Sequence, residues 1–205
     1  AVMCSTDTQI LYYNKNQLAA IGLDAENWQP TTWQEILDVA AQLKEANEDN
    51  EDYIPLWIWA SSTYPEETSM RTFQLLVSGT EGEWPGQLYD AESGKWVIDN
   101  AALTTALGFV DKAFNELQVT ESPAMAADSA MGSLLTSDYM MNENIGLYIT
   151  GSWTMGQFKS QYPWDAAMDT YGMAQIPTAE GQGKGFTTMS GGWTWAIPEN
   201  SQNKD

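Results

Sequence analysis

Histidine is absent from this 205-residue chain, cysteine occurs once, and lysine and arginine together number 8. Each shortage closes off a kind of chemistry. Without histidine there is no serine or cysteine triad and no ordinary catalytic zinc site. With Cys4 alone no internal disulfide forms, and the redox compartment stays open. The 8 basic residues face 28 acidic ones, a formal charge of -20, so nucleic acid or an anionic membrane surface would meet long-range repulsion. No apolar run approaches the ~18 to 20 residues that span a bilayer. Neither glycine-rich phosphate motif follows a strand, so nucleotide cradles have no support.

What is present is aromatic. Ten Trp and nine Tyr stand in a chain that is 43% apolar, more rings than a core requires, and such a surplus points to a recognition surface. The stretch Asn144-Ile-Gly-Leu-Tyr-Ile-Thr-Gly-Ser-Trp153 organises the rest. Ile145 to Thr150 has strand propensity, Gly151 frees the turn, and Ser152 suits a helix N-cap. Trp153 then falls in the first helical turn at the carboxyl end of a strand, the rim where open α/β sheets bind ligands. There a rigid indole is either a core residue or a stacking platform for a CH-rich face such as a sugar.

Taken in order, Thr8 to Tyr13 reads as a strand and Lys15 to Ala20 as a short helix ending at Gly22. Thr32 with Glu35 predicts a capping box, opening a helix with Ile36, Ala40 and Leu43 inward. The acidic run from Asn47 to Asp52 lacks the alternating ligands and central glycine of a calcium loop and reads as a solvated turn. Ile54 to Ala60 is a predicted strand with Trp57 and Trp59 on one face, followed by a loop from Ser61 to Pro65. A helix from Glu67 to Ser78 is expected to close at Gly79 with Phe73, Leu76 and Val77 inward. A hairpin is expected between Trp84 and Ile98 around Ser93-Gly94. Asp99 or Asn100 caps a helix whose predicted inward stripe is Leu103, Leu107, Val110, Phe114 and Leu117. Gln118 to Ala130 reads as loop, Met131 to Asn142 as helix, and Gly172 to Pro177 as strand. Three glycines make Thr178 to Gly185 a surface turn, and Ser190 to Pro198 is a glycine-opened strand. Strands alternate with helices, so the class is α/β.

Four segments together resemble the extracellular solute-binding proteins of ABC transporters, in the carbohydrate-specific, maltose-binding-protein-like group. They are Asp7-Thr-Gln-Ile-Leu-Tyr-Tyr-Asn-Lys15, Gly22-Leu-Asp with Pro30-Thr-Thr-Trp-Gln-Glu35, the Asn144 to Trp153 block, and Ser190-Gly-Gly-Trp-Thr-Trp-Ala-Ile197. They occur in the family's order and cover nearly the whole chain, although Leu147 and Tyr148 stand where small residues and Met are usual. The resemblance implies a periplasmic-binding-protein-like (type II) lobe, a central β-sheet flanked by helices. Residues 1–205 would form one domain, the second lobe of a two-lobed protein, without the first. Residues 1–13 and 190–198 would be its hinge-proximal strands. It further implies a non-enzymatic, extracytoplasmic component of an importer, either periplasmic or a cell-surface lipoprotein, although Ala1-Val2-Met3 before Cys4 is a poor lipobox. The expected partners are a carbohydrate, the membrane permease and the first lobe. No cofactor, metal or nucleic acid is expected.

The candidate binding residues follow. Trp153 would stack on a pyranose face. Gly191 and Gly192 would let the backbone approach the ligand, with Trp193 as a second wall; equally, the glycines would simply open a strand. Trp59, Ser61 and Tyr64 sit after the Ile54 strand, where a further stacking ring is expected. Asp7 and Arg71 would hydrogen-bond sugar hydroxyls, or be plain surface charges. Two other classes stay open: a glycoside hydrolase fragment, for which Asp7, Glu66 and Glu67 are the strand-end carboxylates beside the rings, and a protein-interaction domain.

Overall fold

The computed structural model describes residues 2–81, 88–90, 92–97, 99–161 and 169–203. In chain order its strands are β1 (Val2–Met3), β2 (Asp7–Asn14), β3 (Ile54–Trp57), β4 (Tyr89–Asp90), β5 (Lys95–Trp96), β6 (Ile145–Gly151), β7 (Tyr171–Ala174), β8 (Ile176–Pro177), β9 (Phe186–Thr187), β10 (Ser190–Gly191) and β11 (Thr194–Trp195). Five of them make the central sheet. β2 pairs antiparallel with β6 on one side, and with β10 and then β7 on the other. β3 lies parallel to β6 at the far edge, Ile54 opposite Ile145.

The pleat sorts the core into two halves. Leu11, Tyr13, Leu56, Ile58, Leu147 and Ile149 pack with the helix Trp33–Ala46 in one cluster. Tyr12, Trp57, Trp59 and Tyr148 pack with Met131, Leu135 and Tyr171 in the other. Register lines the second set up across the sheet, Trp57 opposite Tyr148 and Tyr148 opposite Tyr12. Burial raises the phenols of Tyr12 and Tyr148, the latter to about 12, so both stay neutral in this apolar layer.

Helix ends follow the local signals. Asn14 caps Lys15–Ala20 through Gln17 N, Asn100 caps Ala101–Asp111 through Leu103 N, and Gly22 takes φ +85° beyond the first of these. Thr32 accepts from Glu35 N at 3.2 Å, but the box does not close reciprocally. The Glu35 carboxylate instead takes the backbone N–H of Thr31 at 2.6 Å and its hydroxyl at 2.9 Å.

Several expectations are corrected. The strand from Ile54 stops at Trp57, although Ile58 and Trp59 remain buried. Pro65–Glu67, Thr68–Gln74 and Leu75–Glu81 run on as one helix, π-helical in the middle, and pass through Gly79. A Cβ at Gly79 would meet Thr187 Cγ2 at 3.0 Å and Trp33 Cζ2 at 3.2 Å, so this glycine admits neighbours instead of ending a helix. Leu75 faces inward where Phe73 was expected to, Phe73 being only half-buried. In the helix after Asn100 the buried face is Ala102, Ala106, Phe109 and Ala113, one position before the leucine stripe, and Leu107 is exposed. Ser122 and Pro123 start a helix, Pro123–Ala127, inside the expected loop. The expected hairpin is present as β4 and β5, with Trp84, Pro85-Gly86 and Ile98 outside the described residues. The single expected strand from Ser190 is two short ones, β10 on β2 and β11 on β1, separated by Gly192 at φ +152°.

Candidate functional site

Three segments converge where β6 ends. The first is the turn Gly151-Ser152, which leads into the helix Trp153–Gln161. Ser152 N donates to Thr8 O at 2.8 Å, and Thr8 N donates back to Ser152 Oγ at 3.3 Å, so the turn is tied to β2. A Cβ on Gly151 would fall inside the Trp153 ring. The indole therefore folds back onto the strand end, and only glycine leaves it room. The second segment is the start of β2 with β10, where Asp7 stands opposite Gly191. A Cβ on Gly191 would lie 2.9 Å from Asp7 Oδ1, and one on Gly192 would strike the Ser5 carbonyl oxygen. The protein's own chain thus fills the room left by both glycines. The third is the π-helical stretch Thr68–Gln74. Its first turn is pinned to the preceding loop because Thr68 Oγ1 donates to Ser61 O at 2.8 Å and accepts from Ser61 N at 2.9 Å.

Between these segments lies a cleft of about 430 Å³. It is lined by Asp7, Arg71, Trp153, Gly191, Gly192 and Trp193, together with Glu66, Met70 and Met189. Six of the nine expected residues therefore share one cavity. Trp193 is 75% exposed and stands free on its rim. Trp59, Tyr64 and Ser61 are not on its wall. Trp59 is 3% exposed and packs edge-on against Trp57 and Tyr64, at 5.3 and 4.8 Å between ring centroids. The Tyr64 hydroxyl donates to Asp128 O at 2.8 Å and accepts from Gly132 N at 2.9 Å, fastening the loop to the start of the helix Met131–Leu134. Ser61 Oγ accepts from Thr63 N. These three residues form the support beneath the cleft.

The link between cleft and support is Arg71. Its guanidinium carbon lies 4.5 Å from the Trp153 ring centroid and 5.7 Å from that of Trp59, with Nη2 at 3.6 Å from Glu67 Oε1. Met70 and Met189 carried no local signal in the sequence; their place follows from which segments meet. A second groove of about 480 Å³ begins at Met189 and runs past Thr188 to Gln74 and Ser78. Thr188 Oγ1 there accepts from Gln9 N and donates to Gln9 O, both at 3.1 Å, filling the gap between β10 and β7 on β2. Among the described residues no acidic or thiol cluster has the geometry to hold a metal ion.

The family profile described as bacterial extracellular solute-binding protein matches residues 4–205. The chain belongs to that family. No curated protein sequence matches it. Solved structures match at the level of the fold. One is an ABC transporter solute-binding protein from Thermotoga lettingae bound to α-D-tagatose, with a TM-score of 0.72 and 22% identity, covering 99% of this chain and 46% of that one. Another is the GacH receptor of Streptomyces glaucescens, solved unliganded and with acarbose, with a TM-score of 0.71 and 20% identity, covering 100% and 45%. Maltose-bound MalE3 of T. maritima matches with a TM-score of 0.65 and 23% identity, covering 94% and 44%. The family chain spans just under half the length of these structures. Its fold is that of a type II periplasmic binding protein, a sheet flanked by helices, as the resemblance implied.

Proposed function

We propose that this chain is the second lobe of a sugar-binding component of an ABC importer, and that its cleft is the lobe's share of the ligand site. The observation that carries the reading is Trp153, an indole seated on Gly151 at the carboxyl end of β6 and opening onto a cavity with carboxylates on its wall. A ring face takes the CH face of a pyranose, while Asp7 and Glu66 accept from the hydroxyls around its edge. Trp193 is the second wall. Relatives of the same fold hold tagatose, maltose and acarbose, a range that fits aromatic stacking with few fixed polar contacts. A first lobe of the same protein would complete the cleft, with β1, β11 and the β2–β10 crossing as the hinge-proximal segment. Closure of the two lobes outside the cytoplasmic membrane would be what the permease reads.

The test is an NMR titration of the Trp indole N–H signals with a panel of mono- and oligosaccharides, for wild type and Trp153→Ala. A few indoles shift in the wild type, and the substitution weakens binding by at least about 1 kcal/mol without unfolding the lobe. Equal affinity in the two proteins would remove Trp153 from the site.

A further inference from the structure

We infer that Arg71 is a positioning residue for Trp153, holding the indole in its ligand-ready pose. The proposal deepens the sugar-cleft reading and rests on it for its binding arm alone.

The geometry assigns the guanidinium to ring contacts. It lies within reach of two indoles, 4.5 Å from the Trp153 centroid and 5.7 Å from that of Trp59. Both distances are within the ~6 Å range over which a ring quadrupole attracts a cation. Trp59 is held in turn by Trp57 and Tyr64, so Arg71 transmits the fixed position of the core to a side chain on the cleft wall. Glu67, four residues earlier and 3.6 Å from Nη2, orients the fork. The two side chains are 21% and 24% exposed, so the ion pair and the rings together set the direction of the guanidinium. The helix register has the same consequence. The turn from Thr68 to Gln74 carries Arg71, and it is anchored to the loop after Trp59 by the paired Thr68 and Ser61 bonds. Trp153 also lies close against Gly151, where no side chain can intervene.

Arg71→Lys keeps the charge and removes the plane. The experiment reads the ligand-free protein first, through NOEs from the Trp153 ring protons to the Gly151 Hα protons. Positioning requires these to weaken in Arg71→Lys, and in part in Glu67→Gln, while the Trp33 indole, bonded to Pro177 O at 2.9 Å, keeps its shift as the control for the fold. Affinities for maltose and for glucuronate then fall by a similar factor, about tenfold or less. NOEs retained in both variants overturn the proposal. Retained NOEs with weaker maltose binding would make Arg71 a direct ligand contact, and retained NOEs with tighter binding would mean that the guanidinium competes for the ring face. If the wild type binds no sugar at all, the sugar reading fails and the ligand-free NOEs still decide the role of Arg71.

Discussion

Glu121 offers the sharpest test of the energetics. Its side chain is 3% exposed, Oε2 accepts from Ile58 N at a long 3.4 Å, and Oε1 is buried without a well-formed hydrogen bond among the described residues. Burial lifts its carboxyl from the ordinary 4.5 to about 8, outweighing the backbone N–H groups of Ile58 and Glu121 itself, which favour the ionised form. The folded chain therefore keeps a proton that the unfolded chain releases. The stability that goes with it is fully present below pH 4.5, declines as pH rises, and levels off above about 8. Each pH unit inside that window costs about 1.4 kcal/mol, so roughly 3 kcal/mol is forfeited by neutral pH. Glu121→Gln keeps an oxygen for Ile58 N–H and removes the titration. Urea unfolding followed by Trp fluorescence at pH 5, 6, 7 and 8 gives the stability of each protein. Taking the difference between them cancels the general self-repulsion of a chain with charge -20. The variant should gain on the wild type by about 1.4 kcal/mol per pH unit up to pH 8. A difference independent of pH, or one that grows toward acid, would refute the reasoning.

Two further substitutions probe the scaffold. Gly151→Ala places a methyl group where the Trp153 ring lies, so the indole must leave the strand end; indole quenching by acrylamide should rise, and stability should fall by about 1 to 3 kcal/mol. Asn100→Ala removes the side chain that accepts from Leu103 N at 2.8 Å, and thermal unfolding should register a loss of about 1 kcal/mol, with the cleft indoles unmoved.

Much of the fold was legible because its signals are local. The Asn100 cap, the Thr32 cap and the Gly151 junction each need only a few residues to specify them. Where packing decides, local signals do not suffice. Alternation placed Trp57 and Trp59 on one face, as the structure has them. Alternation says nothing of depth, so Trp59 was expected on the cleft wall and lies beneath it. The leucine stripe from Leu103 was the more apolar one, yet the small face Ala102, Ala106 and Ala113 lies deepest, because helices approach more closely over alanines. Gly79 looked like a helix end and serves a close contact with Trp33 and Thr187. Ser122-Pro123 is a local helix-start signal set within an otherwise polar stretch. In the candidate site, residues tied to strand ends were foreseeable, as Asp7, Trp153 and Gly191 were. Met70 and Met189 were not, since only tertiary assembly brings them to the cavity.

The pairing of β2 bears on how the chain acquires its structure. Gln9 faces Gly151, Leu11 faces Ala174 and Asp7 faces Gly191, so a strand from the first fifteen residues finds every sheet partner more than a hundred residues later. Loop closure on that scale precedes any reward from the sheet, which places such a topology among slow folders. Until Ile145 to Gly191 are available, the aromatic β-prone stretch Leu11-Tyr12-Tyr13 has neither edge covered. An unpaired strand of this kind is open to pairing with other chains. Synthesis in order from the amino terminus prolongs that interval, and holding β2 apart until its partners arrive becomes a requirement for productive folding.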